Sequence, residues 1–384
     1  MYSNLTAAVA GTGFIGPVHV EGLRRLGVRV KGLSSATQEE AQEACDRLNL
    51  EHAYADFQAM LDDDELDVIH LAVPNVLHYR MVKDVLAAGK HVMCEKPLAM
   101  TSEESAELVE LARKSKLKTG VNYNLRFYPI NLEVKDRVAD SGRIFSVTGS
   151  YQQDWLLYDT DYNWRVLADQ GGALRAVSDI GTHWLDLVHF TTGLKIEAVM
   201  ADLSTVHPQR RRPKGEVSSF NNEKLRDEDL ESIDVTTEDC GSILFKFAGG
   251  SKGQLFVSQV AAGHKNRLTY DIATEQAAYE FNSERPNELH IGRRGELNQV
   301  LLKDPALLTG RAAPYVNYPG GHNEGFPDTF KQCFRSFYDA ILAGDDAGDT
   351  LYADFEDGHR ELLICDAIIR SHEEQGWVYL DEAV

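Results

Sequence analysis

The residues best placed to do chemistry lie in one stretch, Arg175 to Phe190, RAVSDIGTHWLDLVHF, where two aspartates and two histidines stand among bulky apolar side chains. In a helix of about 100° per residue, Asp179, His183 and Asp186 fall within roughly 60° of one another, while Ile180, Trp184, Leu187 and Val188 occupy sectors that would bury it. An acid and a histidine on one face can move a proton near neutral pH. The pair could also share a metal ion, but no H-x-x-E or cysteine nearby completes a ligand set, so no metal is expected. Taken alone, a buried helix with hydrogen-bonded polar groups accounts for the pattern as well. His189, about 120° from His183, is left to packing or solvent.

A lysine and a glycine turn give that face something to act with. In CEKPLAMTSEES, Glu95, Lys96 and Pro97 stand where a sheet strand ends, since proline stops the ladder, and Thr101 or Ser102 then caps a new helix. An ammonium beside a nicotinamide can orient a substrate hydroxyl and favour alkoxide character in the transition state; the competing reading is a surface lysine. GTGFIG lies between the apolar run LTAAVA and the helical PVHVEGLRRL, the context that makes G-x-G-x-x-G informative. Gly11 permits the tight turn, Gly13 close approach of a pyrophosphate and Gly16 close packing of helix on strand, with Phe14 and Ile15 at the helix start where free amides meet phosphate.

The elements that must position these groups follow from periodicity. VRVKGLSS, LDVIHLAVP and KHVMCEKP read as strands, and TQEEAQEACDRLNL and VLHYRMVKDVLAAG as helices. This alternation predicts a doubly wound parallel α/β sheet with ligands at the carboxyl ends of its strands. The second strand ends at Ser34 and Ser35, followed by Ala36 and Thr37. No strand-end carboxylate is present for a ribose 2′-hydroxyl and no cation for a 2′-phosphate, so NAD is expected with NADP left open.

After TGVNYNLRFYP the pattern changes. RIFSVTGSYQQDWL, IEAVMADLSTV, GSILFKFAGGSKGQLFVSQV, RLTYDIATEQAAYEFNS and ELHIGRRG predict an open, mainly antiparallel sheet. The expected organisation is a Rossmann domain over 1–124 and an α+β substrate-binding and oligomerisation domain over 125–384, from which a C-terminal helix can return to the first domain. Gln153, Asp154 and Trp155, then Trp164 and Arg165, and the loop residues His322 and Asn323 are the substrate candidates; the stripe Phe330, Phe334, Phe337 and Ile341 is core.

Composition limits the partners. A net charge of −21 over 384 residues opposes binding to nucleic acid. The dense basic run, Arg210, Arg211 and Arg212, reads as a solvated loop, with contact to an acidic partner as the alternative. Five scattered cysteines without a C-x-x-C pair point to a reducing compartment, and neither a signal peptide nor a spanning segment is read, so a cytoplasmic protein is expected.

In their order and spacing, AVAGTGFIG, HLAVPNVLHYRMVKDVLAAGKHVMCEKPLA and GGALRAVSDIGTHWLDLVHFTTG resemble segments of the glucose-fructose oxidoreductase, inositol dehydrogenase and MocA family of NAD(P)-dependent oxidoreductases. The resemblance covers essentially the whole chain, and E-K-P is its most diagnostic element. It implies that Lys96, Asp179 and His183 are catalytic, with His183 as the acid/base for a secondary alcohol of a sugar, glycoside or inositol-like polyol. It further implies cofactor contacts at Pro74, Asn75, His78 and Glu95, a Trp164–Arg165 stretch close to nicotinamide and substrate, and a homodimer or homotetramer built on the open sheet. Two outcomes stay open beside it: a non-catalytic dinucleotide-binding sensor, and an enzyme whose tightly bound cofactor cycles through a 3-keto sugar.

Overall fold

Strands buried on both faces read as continuous apolar runs, and helices that cover them carry one apolar stripe. That pattern builds the first part of the protein. The computed structural model describes residues 2–214, 227–346, 348, 350–382 and 384. Its first elements are β1 Thr6–Ala10, α1 Ile15–Leu26, β2 Arg29–Ser34, α2 Gln38–Leu48, β3 His52–Ala53, α3 Phe57–Leu61, β4 Val68–Leu71, α4 His78–Ala87, β5 His91–Cys94, α5 Ser102–Ser115 and β6 Thr119–Val121. The strands form one parallel sheet in the order β3-β2-β1-β4-β5-β6. Its strand order reverses between β1 and β4, which is where a doubly wound sheet takes its ligand. Every residue of β1 and β4 is buried. After Pro97 the chain turns into α5 through a reciprocal cap: Thr101 accepts from the Glu104 amide, and the Glu104 carboxylate accepts from Met100 N.

The remaining elements are α6 Pro129–Ala139, β7 Ile144–Gln152, α7 Ala168–Gly171, α8 Thr182–Thr192, β8 Ile196–Ser204, β9 Gln209–Pro213, β10 Leu230–Asp234, β11 Cys240–Phe247, β12 Lys252–Ser258, β13 Arg267–Thr274, β14 Ala278–Asn282, β15 Glu288–Gly292, β16 Gln299–Leu302, α9 Phe326–Ala343, α10 Phe355–Glu374 and β17 Val378–Tyr379. The second sheet runs β16-β15-β14-β13-β7-β12-β11-β8-β17. It is antiparallel except where β7 pairs in parallel with β12. Trp184 of α8 fixes the depth of its helix by donating Nε1–H to Thr269 O of β13 at 2.9 Å. A Cβ on Gly149 of β7 would stand 2.4 Å from that nitrogen, so only glycine lets the indole lie there. On the other face Met200 and Leu244 are cross-strand partners and both are exposed.

Two compact units result: Met1–Asn124 with Phe326–Leu362, and Leu125–Gly325 with Leu363–Val384. Helix α9 thus belongs with the first sheet, where Phe330 and Phe334 lie against the buried ring of His19. Among the described residues, no helix is long and apolar enough to cross a membrane.

The basic run departs from its expectation as a solvated loop. It forms β9, paired with β10, and Arg210 is fully buried. A buried guanidinium is tolerated because both of its terminal nitrogens are met, Nη1 by the carbonyls of Tyr158 and Asp161 and Nη2 by Asp239 Oδ1 and the Leu156 carbonyl. Arg211 and Arg212 pair at the surface with Asp159 and Glu231.

Candidate active site

The predicted residues fall into two groups, one on each unit. In the first, the glycine turn has the shape a dinucleotide needs. Gly11 has φ +111°, and a Cβ there would meet Ala72 O at 2.1 Å; a Cβ on Gly16 would meet Gly11 O at 2.0 Å. Gly13 has no heavy atom within 4 Å of its would-be Cβ, leaving clear the side from which a pyrophosphate approaches the start of α1. Phe14, which precedes α1, and Val76 and Leu77, which follow β4, are exposed apolar side chains on the loops at the carboxyl edge of the sheet. The residues present therefore fit a dinucleotide.

Pro74 and Asn75 lie on the same loop after β4, with Asn75 buried. His78 is buried and clamps this loop to the E-K-P turn, its Nδ1 2.7 Å from Pro97 O and its Nε2 3.0 Å from Val73 O. Burial is the largest influence on this ring and lowers its pKa. Lys96 is half-buried, directly after Glu95 and before a cis Pro97.

A buried relay that sequence reasoning did not find ends at Glu95, the residue before Lys96. Tyr338 Oη lies 3.1 Å from His70 Nε2, His70 Nδ1 3.0 Å from His19 Nδ1, and His19 Nε2 2.9 Å from Glu95 Oε1. Asn122 Nδ2 donates to the same carboxylate oxygen at 2.5 Å. Burial drives the His70 pKa well down, with the charge of His19 adding to it. Burial alone would raise Glu95, but the His19 hydrogen bond, the charges of His19 and Lys96, and Asn122 outweigh it and hold its pKa at about 2. The sequence signal was a histidine inside the apolar stripe of α1, with Val20 and Leu23.

Glu95 ionises lower in the folded protein than in the unfolded chain, so the stability it contributes is fully present above about pH 4.5 and is lost as pH falls towards 2. Its size is roughly 3 kcal/mol. Chemical denaturation of the wild type and of Glu95→Gln should show a gap that is constant above pH 5 and closes through that window. A gap independent of pH would refute the assignment.

The second group is carried by α8 and the π turn Val177–Gly181 that opens it. Glu238 caps the turn by accepting from the amides of Arg175 and Val177. Arg175 and Arg210, both fully buried, converge on Asp239 Oδ1. Burial would raise Asp239, but the Arg175 charge and further hydrogen bonds keep its pKa low. Asp179 then accepts from Gln259 Nε2 at 2.8 Å and pairs with Arg165 Nε at 3.2 Å. Arg165 in turn lies 4.3 Å over the Trp164 ring.

His183 is buried, 6.3 Å between ring centroids from Tyr151. Burial pushes the Tyr151 phenol well above its usual pKa, so it stays protonated and donates to Asn266 Oδ1 at 2.6 Å. Gln153 Nε2 donates to the same oxygen, and Trp155 Nε1 donates to Gln153 Oε1. Gln153 and Trp155 are thus linked to the ring beside His183.

Asp154 is not part of this chain: its carboxylate accepts from Gly263 N and Lys265 Nζ. His322 is exposed on a loop stapled by the buried Lys303–Glu324 pair, with its Nδ1 3.3 Å from Gly320 O. Asp186 leaves the acid–histidine face as well, since Arg126 holds it in a bidentate buried pair. Tyr151, Gln259, Asn266 and Glu238 carried no local spacing signal, because each meets its partner across the sheet.

Comparison with known proteins bears on the fold and the family. Residues 5–123 match the oxidoreductase family with an NAD-binding Rossmann fold, and residues 132–280 match the GFO/IDH/MocA C-terminal domain. The levoglucosan dehydrogenase of Pseudarthrobacter phenanthrenivorans is 30% identical over 98% of each chain. Inositol 2-dehydrogenase 2 of Saccharopolyspora erythraea is 26% identical over 96% of this chain and 93% of its own. A levoglucosan dehydrogenase solved in complex with NADH and L-sorbose superposes with a TM-score of 0.87 at 27% identity, over 99% of each chain.

Proposed function

Because the chain belongs to the GFO/IDH/MocA family of oxidoreductases, we propose that it transfers a hydride between a nicotinamide dinucleotide and a secondary alcohol of a sugar, glycoside or inositol-like polyol. The observation that carries the reading is the anchored acid–histidine pair: Asp179 held by Gln259 and Arg165, and His183 four residues on beside a protonated Tyr151.

A bound dinucleotide supplies the hydride acceptor. His183 takes the hydroxyl proton as the electron pair of the adjacent C–H bond departs and the C–O bond becomes a carbonyl; in reduction it returns that proton. Lys96 donates to the same oxygen and favours its alkoxide character. Asp179, kept in place by two donors, orients the alcohol and offsets the charge on His183. Trp155, Gln153 and Arg165 present the amphipathic surface and fixed hydrogen-bond groups that a polyhydroxylated ring requires. The exposed Met200–Leu244 pair on the open sheet supports a homo-oligomer built on that face.

Purified protein incubated with NAD+ or NADP+ and a panel of levoglucosan, inositols, pyranoses and glycosides should accumulate reduced nicotinamide with at least one of them. Cofactor binding with no hydride exchange across the panel would sink the reading.

A further inference from the structure

The second strand ends without a carboxylate, yet the next helix delivers one. Glu40, in the first turn of α2, brings Oε2 to 2.5 Å from Ser35 Oγ. That hydroxyl also lies 2.7 Å from Thr12 Oγ1 of the glycine turn, and Gly11 N donates to Ser34 O at 2.9 Å. Ser35 has one hydroxyl proton and gives it to the carboxylate, so Thr12 donates to Ser35 and the chain runs Thr12 to Ser35 to Glu40. A glutamate three residues after a threonine cap ordinarily reaches back to the cap amide. Here Thr37 does accept from the Glu40 amide, at 3.2 Å, but the carboxylate is spent on Ser35.

We propose that Glu40 is the residue that selects a dinucleotide with an unphosphorylated adenosine ribose, NAD over NADP. It takes from α2 the part that a strand-end acid plays in other dinucleotide folds, accepting from the ribose 2′-hydroxyl at the carboxyl end of β2. The same charge repels a 2′-phosphate, and the intervening Ala36, Thr37, Gln38 and Glu39 supply no cation to offset it. Glu40 is exposed, so this repulsion is screened by salt.

The assignment rests on the dinucleotide reading above, and direct binding tests the two separately. Dissociation constants for NADH and NADPH, measured by nicotinamide fluorescence at low ionic strength, should differ by about tenfold or more in favour of NADH. Raising the salt should narrow the ratio. Glu40→Gln keeps the helix start intact and should bring the ratio towards one, chiefly by tightening NADPH. Ser35→Ala frees the carboxylate and should weaken NADH while preserving the preference. Equal affinities in the wild type, or an unchanged ratio in Glu40→Gln, overturn the assignment alone. Binding of neither nucleotide overturns it together with the oxidoreductase reading.

Discussion

Replacing His183 by alanine is expected to lower kcat by about 10²- to 10⁴-fold while leaving the affinity for reduced dinucleotide unchanged. Tyr151, the ring beside it, is held protonated by burial and cannot substitute as a base. Oxidation of the alcohol needs the neutral imidazole, so kcat/KM in that direction falls as His183 protonates on the acid side; reduction needs the imidazolium and falls on the alkaline side. Both limbs should vanish in His183→Ala, which stopped-flow and steady-state rates over pH will show. Retained limbs with a merely lower plateau would assign the proton transfer to another group. Lys96→Ala, by contrast, should lower the rate and keep the His183 limbs.

Asp239→Ala should produce the largest loss of stability, about 3–5 kcal/mol in urea unfolding, because it removes the carboxylate on which two buried guanidiniums converge. Arg175 and Arg210 are both fully buried, and both bond Asp239 Oδ1. Asp239→Asn retains the shape and one acceptor and should lose less. The functional effect should exceed what global unfolding accounts for. Arg210 anchors the segment from Leu156 to Asp161, directly after Trp155, and Arg175 leads into the turn that carries Asp179. A rise in KM for the sugar in Asp239→Asn, under conditions where the protein is folded, would report that loosening. An unchanged KM would confine the cluster to stability.

How much could be read from the sequence depended on how far apart the interacting residues are along the chain. The glycine turn, the strand end at Pro97 and the cap at Thr101 rest on neighbours within a few positions, and a local pattern is enough to see them. Asp179 and His183 were visible as residues four apart, whereas Asp186 was placed on their face by assuming uniform 100° steps. The helix in fact opens with a π turn, and Arg126, sixty residues upstream, claims the Asp186 carboxylate. The Arg210 run looked solvated because burying it depends on Asp239, which lies across a different set of strands. The strand-end residues carried no acid because the carboxylate that meets Ser35 comes from the following helix. The strands β3 and β6, of two and three residues, are too short for any periodicity to mark them.

The membership of α9 in the first unit separates the order of synthesis from the order of completion. When residues 1–124 have left the ribosome, the rings of Phe330, Phe334 and Tyr338 that cover His19 and His70 are still about two hundred residues from being made. Closing a loop of that length adds little entropy cost over a shorter one, but it makes the decisive contacts non-local and slow. Until then the nascent Rossmann sheet carries an uncovered histidine pair and an apolar flank, the kind of surface that chaperones hold.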